Sequence, residues 1–150
     1  MPTLHSMAAH YYRSKGSRPT RAERDTFSRW LCLQFSRIAD RVDFTPDELT
    51  PEQFLLVHAI TGRLLISTAH NTHPHWLPRE NAMLRAVHDW HHLQGGYGFD
   101  FEGELQACEH AKQSAPDNIH WILDSEIALQ AAACLAAGGT YARQKLVRPA

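Results

Sequence analysis

Long apolar runs are missing from this chain of 150 residues. None approaches the ~18 consecutive apolar residues that a membrane-spanning helix takes, so no membrane partner is expected. The stretch from Met1 to Lys15 lacks the apolar core of a secretory leader, which predicts a cytoplasmic protein. Cysteine is scarce as well. The three residues Cys32, Cys108 and Cys134 form no C-x-x-C pair, and an odd number cannot all pair within the chain. Each sits among apolar residues at helical spacing, so buried free thiols in a reducing compartment are expected. Val, Ile and Thr nowhere alternate with polar residues for long, so no strand is signalled. Internal repeats and low-complexity tracts are absent too. What is left is an ordinary globular composition, 43% hydrophobic and 21% charged, at a length suited to one domain spanning residues 1–150.

The formal net charge is only −1, but its distribution is uneven. Residues 1–41 hold eight Lys or Arg against the three acids Glu23, Asp25 and Asp40, leaving that part at +5 and the remainder at −6. A loosely packed basic arm over residues 1–19 would suit the phosphates of a nucleic acid. The plainer expectation is a solvated face that complements the acidic remainder, because aromatic residues are not interleaved with the basic ones.

Helix signals recur along the chain. A short helix is predicted from about Leu4 to Lys15, stopped at Gly16. Thr20 with Glu23 forms a capping box ahead of Phe27, Trp30, Leu31, Phe35 and Ile38 at helical spacing. Thr45-Pro46-Asp47-Glu48 repeats the box and predicts one further turn. Thr50-Pro51-Glu52-Gln53 opens a helix to about Ala69 that buries Phe54, Val57, Ile60, Leu64 and Leu65. A loop with two prolines follows, in which His70, His73 and His75 are expected at the surface. Further helices are predicted from Pro78 to about Leu93, from Phe101 to Ser114 and from Ile119 to Ala137, with a basic tail from Tyr141 to Ala150. Amphipathic helices joined by short loops predict an all-α fold, a single-domain helical bundle of about five or six helices.

Six of the eleven histidines fall between His70 and His92, and Arg85-Ala86-Val87-His88-Asp89-Trp90-His91-His92 puts three of them on one helix. Only i, i+3 and i, i+4 neighbours share a helix face, so His88 pairs with His91 and with His92. Imidazole is the commonest metal ligand. His88 and His92 are therefore the leading ligands, with His58 and His91 as further imidazoles. Glu104 lies twelve residues beyond His92 across a glycine-rich turn, so a helical hairpin would bring the two together. The last helix has no Lys or Arg from Ile119 to Ala137, yet contains His120, Asp124, Glu126 and Gln130. A buried carboxylate needs a metal, a cation or a proton, so Glu126 is expected in the site as ligand or catalytic base. The plainer alternative pairs it with Arg85 or Arg63. Asp89 is a second candidate base, and Gln130 and Asp124 are expected to support the ligands from behind.

His58, His88-Asp89 and Asp124 resemble the H…HD…D ligand set of the HD superfamily of metal-dependent phosphohydrolases, which are all-helical. His92 and Gly103-Glu104 are similar to additional positions in nucleotide triphosphohydrolases of that group. That resemblance implies one or two divalent ions activating water against a phosphoester. It departs from the family where His91 stands in place of the usual glycine after the pair. Arg85-Ala86-Val87-His88-Asp89, Gly103-Glu104, and Ser125-Glu126-Ile127 with Gln130 resemble blocks in a group of small phage and bacterial proteins. This second resemblance implies one site made of His88, Asp89, Glu104, Glu126 and Gln130. His88-Asp89-Trp90-His91-His92 also resembles the helix-borne H-E-x-x-H of zinc proteases, with aspartate for glutamate.

The sequence thus predicts a divalent-metal protein, with zinc, manganese or iron as the ion, acting as a hydrolase on a phosphoester or nucleotide. The alternative is a non-enzymatic module that binds nucleic acid or protein and keeps its histidines as a structural polar core.

Overall fold

A computed structural model describes residues 2–140 and 142–149 of the chain; Tyr141 and Ala150, the ends of the basic tail, lie outside the described residues, as does Met1. Six helices and two short strands follow in the order α1 (Leu4–Arg13), α2 (Arg21–Ser36), β1 (Val42–Thr45), α3 (Pro51–Thr61), β2 (Leu64–Ser67), α4 (Pro78–Gly95), α5 (Phe101–Ser114) and α6. Helix α6 is one rod of three segments: a helical turn His120–Leu123, a π-helical stretch Asp124–Leu129, and α-helical Gln130–Ala136. Among the described residues no helix is long and apolar enough to cross a membrane.

Two of the three expected capping boxes form, at Thr20 and at Thr50. The Thr20 hydroxyl accepts the Glu23 N–H at 3.1 Å, and the Glu23 carboxylate accepts the Thr20 N–H at 2.9 Å. Thr50 and Gln53 do the same at 3.1 and 2.8 Å, with Pro51 in the first helical position. Such a cap stabilises a helix by about 1 kcal/mol.

The helix from Pro51 does not reach Ala69, and the chain is not wholly without strands. Gly62 takes a left-handed conformation at φ 73° and ends α3. Leu64–Ser67 then runs as β2, parallel to β1, in the register Val42↔Leu64 to Thr45↔Ser67. Leu64 and Ile66 are fully buried while Leu65 and Ser67 are half-buried, a period of two that only an extended chain produces. Arg63 at the entry to β2 makes a two-pronged ion pair with Asp43 of β1. Ile60, expected in the core, is 73% exposed. The box at Thr45 starts no helix; its hydroxyl instead accepts the Asp47 N–H at the end of β1. The expectation of three buried thiols holds for Cys108, while Cys134 is half-buried and Cys32 exposed. Cys32 follows buried Leu31 by one residue, about 100° round the helix.

The main core gathers Phe27, Leu31 and Ile38 with Leu64, Ile66, Val87, Ile119 and Ile122. Trp76 from the loop before α4 stacks on Phe27 at 4.5 Å. A smaller core, Tyr11, Leu129, Ala133, Ala142 and Val147, joins α1 to the end of α6 and to the C-terminal segment. The Tyr11 hydroxyl sits between two acceptors there, the Gln130 side-chain oxygen and the Arg143 carbonyl. Gln130 cannot flip its amide, because its nitrogen donates to the Ala142 carbonyl at 3.1 Å. Tyr11→Phe therefore removes the one proton these acceptors share and is expected to lower stability by about 1–2 kcal/mol, read by thermal denaturation. An unchanged melting temperature would show that water replaces the hydroxyl without loss.

Candidate metal centre

Helices α4 and α5 form a hairpin whose turn fixes the site. Asp100 caps α5 by accepting the Gly103 N–H at 2.9 Å, which sets Glu104 in the first helical turn, where the helix dipole favours an anion. His88 and His92, one turn apart on α4, point their Nε2 atoms at the same carboxylate oxygen. His88 Nε2 is 2.9 Å and His92 Nε2 3.3 Å from Glu104 Oε2, and the two nitrogens are 3.1 Å apart. All three ligand atoms lie within 4.8 Å of one another, and this is the one cluster of three or more His, Cys, Asp or Glu ligands found among the described residues. The His92 side chain is almost fully buried, and Glu104 and His88 are mostly so.

The tautomer of His92 follows from its neighbours. Its Nδ1 lies 3.0 Å from the Tyr97 carbonyl oxygen, which can only accept, so Nδ1 carries a proton. In the neutral ring Nε2 then holds a bare lone pair aimed at the cluster. Phe99 stacks on the same ring at 4.1 Å, and the Tyr97 N–H donates to the His92 carbonyl at 3.1 Å, so the turn grips His92 from both sides. A protonated Nδ1 bonded to a backbone carbonyl is how metal-binding histidines are usually oriented. Two imidazole nitrogens and a carboxylate oxygen converging at this distance must share a proton or a cation.

In the metal-free protein the proton serves. Burial by itself would lower His88, but the Glu104 carboxylate, with Asp89 beyond, outweighs it and raises His88 above its ordinary 6.5. Burial opposes ionisation of Glu104, yet the His88 charge and the hydrogen bond from His88 pull its carboxyl down to about 2. The stability from His88 is fully present below pH 6.5 and is lost as pH rises through its folded value. The stability from Glu104 is present above its ordinary 4.5 and is lost as pH falls toward 2. Metal-free protein is therefore expected to be most stable between about pH 4.5 and 6.5, whereas metal binding strengthens as pH rises because it displaces the His88 proton. Denaturant titrations across pH with and without chelator test this. Parallel curves in the two series would remove His88 from the site.

A cleft of about 240 Å³ opens beside His88, lined by Thr50, Phe54, Ser67, Arg85, Asp89 and Phe99 among others. Asp89 is half-buried there. Burial pushes its carboxyl up to about 6 against the pull of His88 and His92. Arg85 donates to the backbone carbonyls of Ser67, Ala69 and His70, which holds the chain after β2 against α4.

The other expected site residues lie elsewhere. His91 turns away from its neighbours to pack on His110 at 4.7 Å, and burial together with His110 lowers it to about 3. His58 is half-buried on α3, outside the cluster, and its Nδ1 has no partner. Asp124 pairs with Lys112 of α5 at 2.9 Å. Gln130 serves Tyr11, not Glu126. Glu126 does find a partner, but neither a metal cluster nor an arginine: His73 Nε2 lies 2.7 Å from its carboxylate, both side chains buried. His73, expected at the surface, accepts the His75 N–H on Nδ1 at 3.0 Å and stacks on Trp76. A ring that accepts on Nδ1 donates from Nε2, so His73 anchors its loop to the π-helical segment with both nitrogens used. The Tyr97 carbonyl and Phe99, which orient His92, escaped the sequence reading; Gly95-Gly96-Tyr97-Gly98 reads as a flexible turn when only its glycines are weighed.

Comparison with protein-family models, with curated proteins and with solved structures finds no match to the chain, so this geometry stands by itself.

Proposed function

We propose that the protein binds one divalent metal ion through His88, His92 and Glu104 and uses it for hydrolysis of a phosphoester. The observation that carries this reading is the convergence of three ligand atoms beside a cleft that His88 lines, with His92 held by the Tyr97 carbonyl in the tautomer a ligand needs. Three protein ligands leave a coordination position open, the pattern of catalytic rather than structural zinc sites. A bound ion supplies a Lewis acid that acidifies water and draws charge from a phosphoryl oxygen.

The remaining work falls to side chains of this chain. The oxygen of water attacks phosphorus, the bond from phosphorus to the ester oxygen breaks, and the proton given up by water passes to the leaving alkoxide. Asp89, in the cleft beside His88, is the group we assign to carry that proton. The Arg85 guanidinium adds positive charge to the same wall, which suits a phosphate ester better than a neutral amide or ester. Glu126 has no part in this reading, since His73 occupies it.

Elemental mass spectrometry of tag-free protein before and after chelation, followed by turnover of a nitrophenyl phosphodiester, tests the proposal. About one equivalent of zinc, manganese or iron, with turnover lost on chelation and in Asp89→Asn, is expected. Metal without turnover on phosphomonoesters, diesters and nucleotides would reduce the site to a structural one. No metal after adding each ion back would leave the histidines as a structural polar core.

A further inference from the structure

The basic N-terminal part does not form a free arm along its length, and its charges meet those of the C-terminal segment. A cleft of about 540 Å³ lies between residues 15–18, the loop 72–75 and residues 143–145. A second cleft of about 410 Å³ shares Arg18, Pro74 and His75 with it and runs on past Arg21 and Arg24 at the start of α2. Lys15, Arg18, Arg21, Arg24 and Arg143 are exposed around this double cleft, and no acidic residue lines either part. Among the described residues none of these five cations makes an ion pair; the arginines and lysine that do are Arg63, Lys112 and Arg148, at other places.

The walls are fixed before any ligand arrives. The Ser17 N–H donates to the Leu146 carbonyl at 2.6 Å, and Lys145 reaches the Ser14 carbonyl while lying over the Tyr11 ring. The loop wall is held by the buried His73–Glu126 pair and the His73–Trp76 stack. His75 stands where the two clefts meet, and burial, then His73 and Arg18, lower its affinity for a proton. A rigid concave surface with five unpaired like charges is costly to keep together and is relieved by an anion.

We infer that this double cleft binds the phosphodiester backbone of a single-stranded nucleic acid. Two connected clefts lined by successive cations suit a chain of phosphates better than one isolated phosphate. A flexible single strand can follow both clefts round His75, which a rigid duplex would have to bridge. Among the described residues none of the exposed large apolar side chains lines it, which disfavours insertion into a lipid bilayer. Among the described residues the only ring there accessible for stacking is His75, so recognition runs through charge and is indifferent to base sequence. The inference is independent of the metal reading, since no residue of the double cleft belongs to the His88 cluster.

Fluorescence anisotropy with a labelled oligothymidylate, in the presence of chelator, tests it apart from any metal. Four phosphate contacts would weaken binding roughly 50-fold between 50 and 200 mM salt. The double variant R18E/R143E is expected to lose at least about tenfold in affinity with an unchanged melting temperature, while R29A, outside the cleft, binds as wild type. Arg21→Ala with Arg24→Ala, at the other end, should weaken binding as well. Absence of binding at 50 mM salt, wild-type affinity in R18E/R143E, or binding to phosphatidylserine vesicles without binding to the oligonucleotide would each overturn it.

Discussion

Gly103→Ala is expected to lower stability by about 2–3 kcal/mol and to weaken metal binding by about 10–100-fold, although residue 103 carries no ligand atom. A Cβ at this position would stand 1.8 Å from the Gly98 carbonyl oxygen, 2.5 Å from its carbon and 2.8 Å from its nitrogen. All three are backbone atoms, so no side chain can swing aside, and either α5 or the turn must move. The turn is the element that orients His92, through the Tyr97 carbonyl on one side of Gly98 and the Phe99 ring on the other. Pushing it outward leaves His92 Nδ1 without its acceptor and moves Glu104, the next residue along, away from the two imidazoles. A fall of about 4–12 °C in melting temperature, with weaker binding by calorimetry, is the expected pair of results. Wild-type behaviour on both counts would mean that α5 shifts without cost and that the turn does not hold His92.

Glu104→Gln separates charge from shape at the same site. The amide fills the same space and can still accept from His88, but it offers a metal no anion. Affinity for a divalent ion is expected to fall by at least about 100-fold, more than for loss of a supporting residue. In the metal-free protein His88 loses the charge that raises it, so its affinity for a proton should drop and the loss of stability at alkaline pH should disappear. Glu126→Gln is the matched control: it removes an equally buried carboxylate from the His73 pair and leaves the cluster intact, so it should loosen the 71–77 loop but keep the metal. If Glu126→Gln abolished metal binding and Glu104→Gln did not, the assignment of the ligands would be reversed.

These two glutamates also mark how far the sequence could be read. Glu104 was legible because the hairpin it needs is local: a helix end and a glycine-rich turn lie within a few residues of it. Glu126 was legible only as a carboxylate in want of a partner. Its partner, His73, comes from a proline-bounded loop fifty-three residues away, and nothing local tells a surface histidine from one that a distant acid draws inward. The strands show the same limit. Four residues, Leu64-Leu65-Ile66-Ser67, are too few to establish a period of two, and their parallel partner lies on the far side of a helix. The caps at Thr20 and Thr50, by contrast, each satisfy their helix within three residues and are placed from spacing, although the same spacing at Thr45 opens no helix.

The π-helical stretch in α6 solves a problem of phase. Its wider turns are equivalent to one residue beyond what a regular helix would use between the same two ends. Leu123 and Ile127 on the early side face the main core, and Gln130 and Ala133 on the late side face Tyr11 and the second core. A regular helix adding or removing one residue turns everything beyond by about 100°. Deleting a single residue from Asp124–Leu129 would therefore keep one of these two contact rows and rotate the other out of register. One rod serves two neighbours whose rows are out of step, and the same widened turns carry Glu126 to the loop that walls the basic cleft. The basic cleft thus depends on that offset: α6 changes step after it has packed against α5, and so meets α1 and the C-terminal segment, whose residues 143–145 wall the cleft.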